Sequence, residues 1–148
     1  MTFSSPGLWR HRKNIGGRVL TFTPVPSEAE LLLQVRWFLN LLKRAGLLTW
    51  AKIHIAGKMR GGRIIGRNRD MIGFFDIEVV ARGRVGYIEL KRLNGGKPRP
   101  EQLAFREDRE RHGAPCAFCN RLESVVEFLE TRMDVRAREF LKFGGQRA

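Results

Sequence analysis

The chain has 148 residues, 43% of them hydrophobic and 9% aromatic, enough for one packed domain and too apolar for a disordered basic tail. It carries 28 Lys and Arg against 15 Asp and Glu, a net charge of +13 with a pI near 11.1, so a polyanion, first of all nucleic acid, is the expected partner. Uncharged runs such as Val19–Ser27 and Gly113–Asn120 fall short of the about 18 apolar residues of a membrane span, so no membrane partner is expected. No apolar stretch follows the basic Met1–Lys13 as in a signal peptide, and Cys116 and Cys119 are too few for a disulfide framework, which points to a reducing cytoplasm.

Residues 1–26 read as a basic N-terminal arm, punctuated by Pro6, Gly16, Gly17, Pro24 and Pro26 and charged by Arg10, Arg12, Lys13 and Arg18. A helix starts behind Ser27, with Glu30 placed for a capping box and Gly46 as its stop. Leu31, Val35, Phe38, Leu39 and Leu42 form its apolar face. Leu48–Ile55 alternates loosely and reads as a strand. Gly57–Asp70 is a basic, glycine-rich loop or irregular hairpin carrying Lys58, Arg60, Arg63, Arg67 and Arg69.

Phe74–Val80 and Val85–Lys91 read as strands joined in a hairpin through Arg82-Gly83-Arg84. Pro100 opens a charged helix that ends near Gly113, followed by a short buried strand over Pro115–Cys119 and a helix over Leu122–Leu129. This order predicts an α/β fold, a mixed β-sheet flanked by helices. The segments divide as an arm over 1–26, a domain over 27–131 and a C-terminal helical tail over 132–148.

The chemistry gathers in the hairpin. Residues i and i+2 of a strand share a face, so Glu89 and Lys91 point the same way and the neighbouring strand brings Asp76 beside them. Ile77, Val79, Ile88 and Leu90 form the opposite, apolar face. Two carboxylates beside a lysine make a hard oxygen site suited to Mg²⁺ or Mn²⁺, able to bind phosphate and activate water. A surface salt-bridge ladder has the same pattern, but a carboxylate pair stands out against so basic a chain.

Asp76, then Glu89-Leu90-Lys91, then Pro100-Glu101-Gln102 ahead of a helix, then Gly113 and an apolar strand, resembles the VRR-NUC domain, a virus-type replication-repair nuclease of the PD-(D/E)XK superfamily, over Glu28 to Leu129. The resemblance implies a restriction-endonuclease-like sheet and metal-dependent DNA endonuclease activity. It also implies branched DNA (a Holliday junction or flap) as substrate, a homodimer, and a bacterial or phage-infected cell. It implies Asp76, Glu89 and the Leu90 carbonyl as metal ligands, Lys91 as the catalytic lysine, Gln102 as the motif glutamine, and Glu30, with Glu28 as second choice, as the acidic residue of the first helix. Glu30 serves equally as half of a capping box, and Gln102 as a helix-start cap. The chain departs from the family at Gly73-Phe74-Phe75-Asp76, where Gly-x-Pro-Asp is usual, and at Arg99, where Ser or Thr is favoured.

Lys58, Arg60, Arg63, Arg67, Arg69, Lys97 and Arg99 are the expected phosphate contacts, giving affinity without sequence readout. Trp9 and Trp37 are candidates for base stacking, although Trp37 lies within the first helix's packing pattern. Cys116 and Cys119 sit on an apolar strand and read as core residues rather than as zinc ligands. Val135, Phe140, Leu141 and Phe143 are a surplus of apolar residues in the tail, available for a two-fold contact or for folding back on the core. The competing functional readings are a non-catalytic nucleic-acid-binding protein that keeps the fold and, more remotely, a zinc-bound adaptor.

Overall fold

A computed structural model of the chain describes residues 11–15, 18–22, 26–54, 58–60, 63–65 and 69–143, with side chains over 26–54 and 70–141. The segment read as an arm carries a hairpin, β1 (His11–Ile15) and β2 (Arg18–Phe22), paired antiparallel as a sheet of its own with β2 close to the first helix. The alternating, β-branched run Arg18–Phe22 has the strand propensity that the prolines and charges around it had masked.

Helix α1 (Glu28–Arg44) begins at the capping box: the Ser27 hydroxyl accepts from Glu30 N–H at 3.2 Å and the Glu30 carboxylate accepts from Ser27 N–H at 2.8 Å. Its buried face is Leu31, Gln34, Val35, Phe38, Leu39 and Leu42. Strand β3 (Thr49–Lys52) is shorter than the expected Leu48–Ile55, because its partner strand starts late. A separate small hairpin, β4 (Lys58–Arg60) with β5 (Arg63–Ile65), lies in the basic segment.

The central sheet has the order β3-β6-β7-β8, with β6 (Ile77–Ala81), β7 (Arg84–Leu90) and β8 (Cys116–Cys119). The first two pairings are antiparallel and β7–β8 is parallel, with α2 (Pro100–Arg111) in the crossover, so the sheet is mixed and flanked by helices as the sequence predicts. At the β6–β7 turn both central residues have positive φ, Arg82 at 50° and Gly83 at 73°, the geometry that two-residue hairpins require.

Helices α1 and α3 (Leu122–Arg132) cover one face of the sheet. Leu31, Phe38 and Leu42 there meet Ile77, Val79, Ile88, Leu90, Val125 and Leu129. The other face carries a smaller core under α2, made of Phe75, Tyr87, Phe105 and Cys116. Cys119 belongs to the first core and Cys116 to the second, and both are free thiols. Burial pushes each of them up to about 12, so they pack as apolar residues.

The tail does not stand apart. Met133, Val135 and Ala137 are buried in the main core, and Phe140 and Leu141 of α4 (Arg138–Phe143) pack against it beside α1. Of the two readings of the tail, folding back on the core is the arrangement seen for Val135, Phe140 and Leu141. The side chain of Phe143 lies outside the described residues. Trp37 packs on the core rather than presenting a stacking face, and Trp9 lies outside the described residues. No helix among the described residues is long and apolar enough to cross a membrane.

Candidate active site

The site forms where the β6–β7 ladder stops. Sequence alternation places Asp76 within a strand, but β6 begins one residue later, at Ile77. The reason is that side chains replace the next rung. The Asp76 Oδ2 atom accepts from Leu90 N–H at 3.2 Å, where a backbone carbonyl would otherwise serve, and Asp76 N–H donates to Glu89 Oε2 at 3.1 Å. The Asp76 carboxylate is thereby locked to the Leu90 backbone and the Glu89 carboxylate to that of Asp76, across the ends of two strands. The main chain continues the β3 side of the sheet, with Ile53 N–H donating to the Asp76 carbonyl at 2.7 Å.

Phe75 anchors the chain directly before Asp76. It is fully buried, its ring 4.9 Å from both Phe105 and Phe118. The preceding Gly73 is required twice over. Its φ is +80°, and a Cβ there would run into the Glu101 carbonyl of α2. This close approach fixes the α2 N-terminus against the Asp76 segment.

Helix α2 then delivers Gln102 into the site, 2% exposed. Its Oε1 accepts from Lys91 Nζ at 2.7 Å and from Arg99 N–H at 3.1 Å, and its Nε2 donates to Glu89 Oε1 in a very short hydrogen bond. One side chain therefore caps the helix start and bonds both the lysine and Glu89. Arg99 cannot accept a hydrogen bond from the helix end as Ser or Thr would, and Gln102 and Pro100 carry the helix start instead.

Lys91 completes the cluster, its ammonium 2.9 Å from Glu89 Oε1. Gly96 folds so close over the Lys91–Arg92 backbone that a Cβ would lie 2.7 Å from Arg92 N and O. Burial raises the Glu89 carboxyl above the ordinary carboxylate value; the Lys91 hydrogen bond opposes that shift and the Asp76 charge adds to it.

On the α1 side the cluster opens into a cleft of about 350 Å³ lined by Glu28, Ala29, Leu32, Lys52, Asp76 and Leu90. The two candidate acids of the first helix are placed differently. Glu30 is held in the capping box, and it is Glu28, two residues earlier, that lines the cleft with Asp76. The capping box commits one Glu30 carboxylate oxygen to the Ser27 N–H. Lys52, which lines the cleft with its Nζ near Asp76, is the residue that sequence reading missed; its signal was only its place on the face of a strand that alternates loosely.

Among the described residues no three His, Cys, Asp or Glu side chains close around a point. A cation here would take oxygens from Asp76 and Glu89, with Glu28 at the rim. The Leu90 carbonyl shares its direction with the Leu90 N–H that Asp76 engages. Few protein oxygens with solvent completing the shell is a donor set that suits Mg²⁺ or Mn²⁺, which keep several waters.

Lys97 and Arg99 are exposed on the approach to α2. Lys58, Arg60 and Arg63 lie on β4 and β5 and Arg69 in a short 3-10 turn, but their side chains, like Arg67 altogether, lie outside the described residues. His54 is exposed and His112 caps the end of α2, away from the cluster.

No family model matches the chain, and no curated protein matches it. Among solved structures it is similar to one described as a VRR_NUC domain, the family that the motif resembles, with 22% identity and a TM-score of 0.46 over 66% of this chain and 92% of that one.

Proposed function

We propose that this chain is a nuclease-type domain, a Mg²⁺- or Mn²⁺-dependent DNA endonuclease that hydrolyses phosphodiester bonds in branched or structured DNA. The observation that carries the reading is the Asp76–Glu89 pair, cross-braced to the backbone of two strands, with Lys91 held beside it by Gln102. A protein with net charge +13 that only clamped DNA would gain nothing from two carboxylates turned toward phosphate.

Asp76, Glu89 and the Leu90 carbonyl would hold the ion, with Glu28 at the rim of its solvent shell. When bound, the ion supplies Lewis-acid polarisation of a phosphate oxygen and a water of lowered pKa. The protein's part is positioning and charge. Glu89 and Gln102 fix the Lys91 ammonium within the cluster, where it stabilises the negative charge that develops on the phosphoryl oxygens. Gln102 has its amide NH₂ committed to Glu89, so its oxygen must accept, and Lys91 is held as the donor. Lys97 and Arg99, exposed beside α2, meet the DNA backbone as it enters, and the basic segment 58–69 supplies further phosphate contacts. Symmetrical cutting of a four-way junction would use two such sites related by a two-fold axis.

The experiment is cleavage of linear, flap and four-way-junction DNA by the full chain with Mg²⁺, Mn²⁺, Ca²⁺ or EDTA. Mg²⁺ and Mn²⁺ should support cutting, fastest on the branched substrates, and Asp76→Asn or Lys91→Ala should abolish it while DNA affinity is largely kept. Activity in excess EDTA, or wild-type cutting by Lys91→Ala, refutes the assignment.

A further inference from the structure

The two lysines at the site are held in very different ways. Lys91 is fixed on the α2 side by short bonds to Glu89 and Gln102, at 2.9 and 2.7 Å. Lys52 stands on the α1 side, inside the cleft, with its Nζ 3.9 Å from Asp76 Oδ1. That is Coulombic contact without a hydrogen bond.

Three features show that this placement is built. Cross-strand pairing of Lys52 with Ile77 sets it beside Asp76, one residue before the strand. The cleft wall that Lys52 shares with Ala29, Leu32 and Leu90 is apolar, and its side chain is only 22% exposed. And since Oδ2 of Asp76 is taken by Leu90 N–H, the oxygen facing Lys52 is the one left for a ligand. A lysine that only guarded the edge of the sheet would extend into solvent rather than across this wall.

We infer that Lys52 is a positioning residue, the cleft's own counter-cation, which holds Asp76 when no divalent ion is bound and transfers its charge to a substrate phosphate when one is. The inference rests on the metal-centre reading above. It requires two effects of opposite sign. Removing the Lys52 charge frees Asp76 Oδ1, so a divalent cation binds more tightly; the same change deprives the phosphate of a partner, so DNA is held less well during turnover. A residue that merely supported the fold would weaken both.

The test is Mn²⁺ titration calorimetry on the full chain without DNA, for wild type, Lys52→Gln, Lys52→Arg and Asp76→Asn, together with steady-state cleavage. Lys52→Gln should bind Mn²⁺ about fivefold more tightly, the scale of a partly exposed ion pair, and should raise KM for DNA more than it lowers kcat. Lys52→Arg, which keeps the charge, should bring Mn²⁺ affinity back toward wild type. Unchanged or weaker Mn²⁺ binding by Lys52→Gln, with Asp76→Asn abolishing binding, overturns the role of Lys52 and leaves the metal centre standing. Mn²⁺ binding that is absent in wild type, or indifferent to Asp76→Asn, overturns the metal centre and this inference with it.

Discussion

Replacing Gln102 separates the helix cap from the site, because its three hydrogen bonds serve both. In Gln102→Leu all three are lost, while the Lys91–Glu89 pair at 2.9 Å remains. Bonds to charged partners contribute about 1.5–3 kcal/mol each and a neutral cap about 1 kcal/mol, and the buried leucine returns about 2 kcal/mol. The net loss is about 3 kcal/mol, which for a domain of this size lowers Tm by about 6–12 °C. Gln102→Glu is nearly isosteric and still accepts from Arg99 N–H and Lys91, but it faces Glu89 with a second carboxylate. The pair should then share a proton, so the variant is most stable at acid pH and loses stability as pH rises through the raised value of the pair. Thermal unfolding of the three proteins across pH, followed by circular dichroism, measures both effects. A leucine variant that melts within about 1 °C of the parent, or a glutamate variant with the parent's pH profile, would show that Gln102 does not join Lys91 to Glu89.

Gly73→Ala should destabilise the chain by about 2–3 kcal/mol through its positive φ and the Glu101 carbonyl, and should lower cleavage further by moving Gln102; urea unfolding and kcat check the two parts. Glu89, raised above its ordinary 4.5 by burial, favours the folded state most when protonated. That contribution is complete below 4.5 and is lost as pH rises through the raised folded value, where a bound cation restores it. The gain in Tm on adding Mn²⁺ should therefore be near zero around pH 4 and grow toward pH 7, as thermal shift would show; a gain independent of pH would remove Glu89 from the ligand set.

Much of this protein is written in local pattern. The Ser27–Glu30 box, the apolar face of α1, the alternation of Ile77, Val79, Ile88 and Leu90, and the proline that opens α2 are short-range signals, and each of those elements forms, with β6 starting at Ile77 rather than at Phe74. The Asp76, Glu89, Lys91 cluster was legible for the same reason, since a two-residue period and one tight hairpin bring them together. What tertiary structure decided depends on contacts between distant segments. Glu28 rather than Glu30 faces the cleft because the cap consumes one of two nearby carboxylates and α1 packs with the other toward Asp76. Lys52 enters the site only through the β3–β6 register, and nothing within its own strand specifies that register. The tail looked like a surface for a second copy because its apolar residues have no partner within the segment. Their partners include α1, far away in sequence, and burial against it is a property of the whole core.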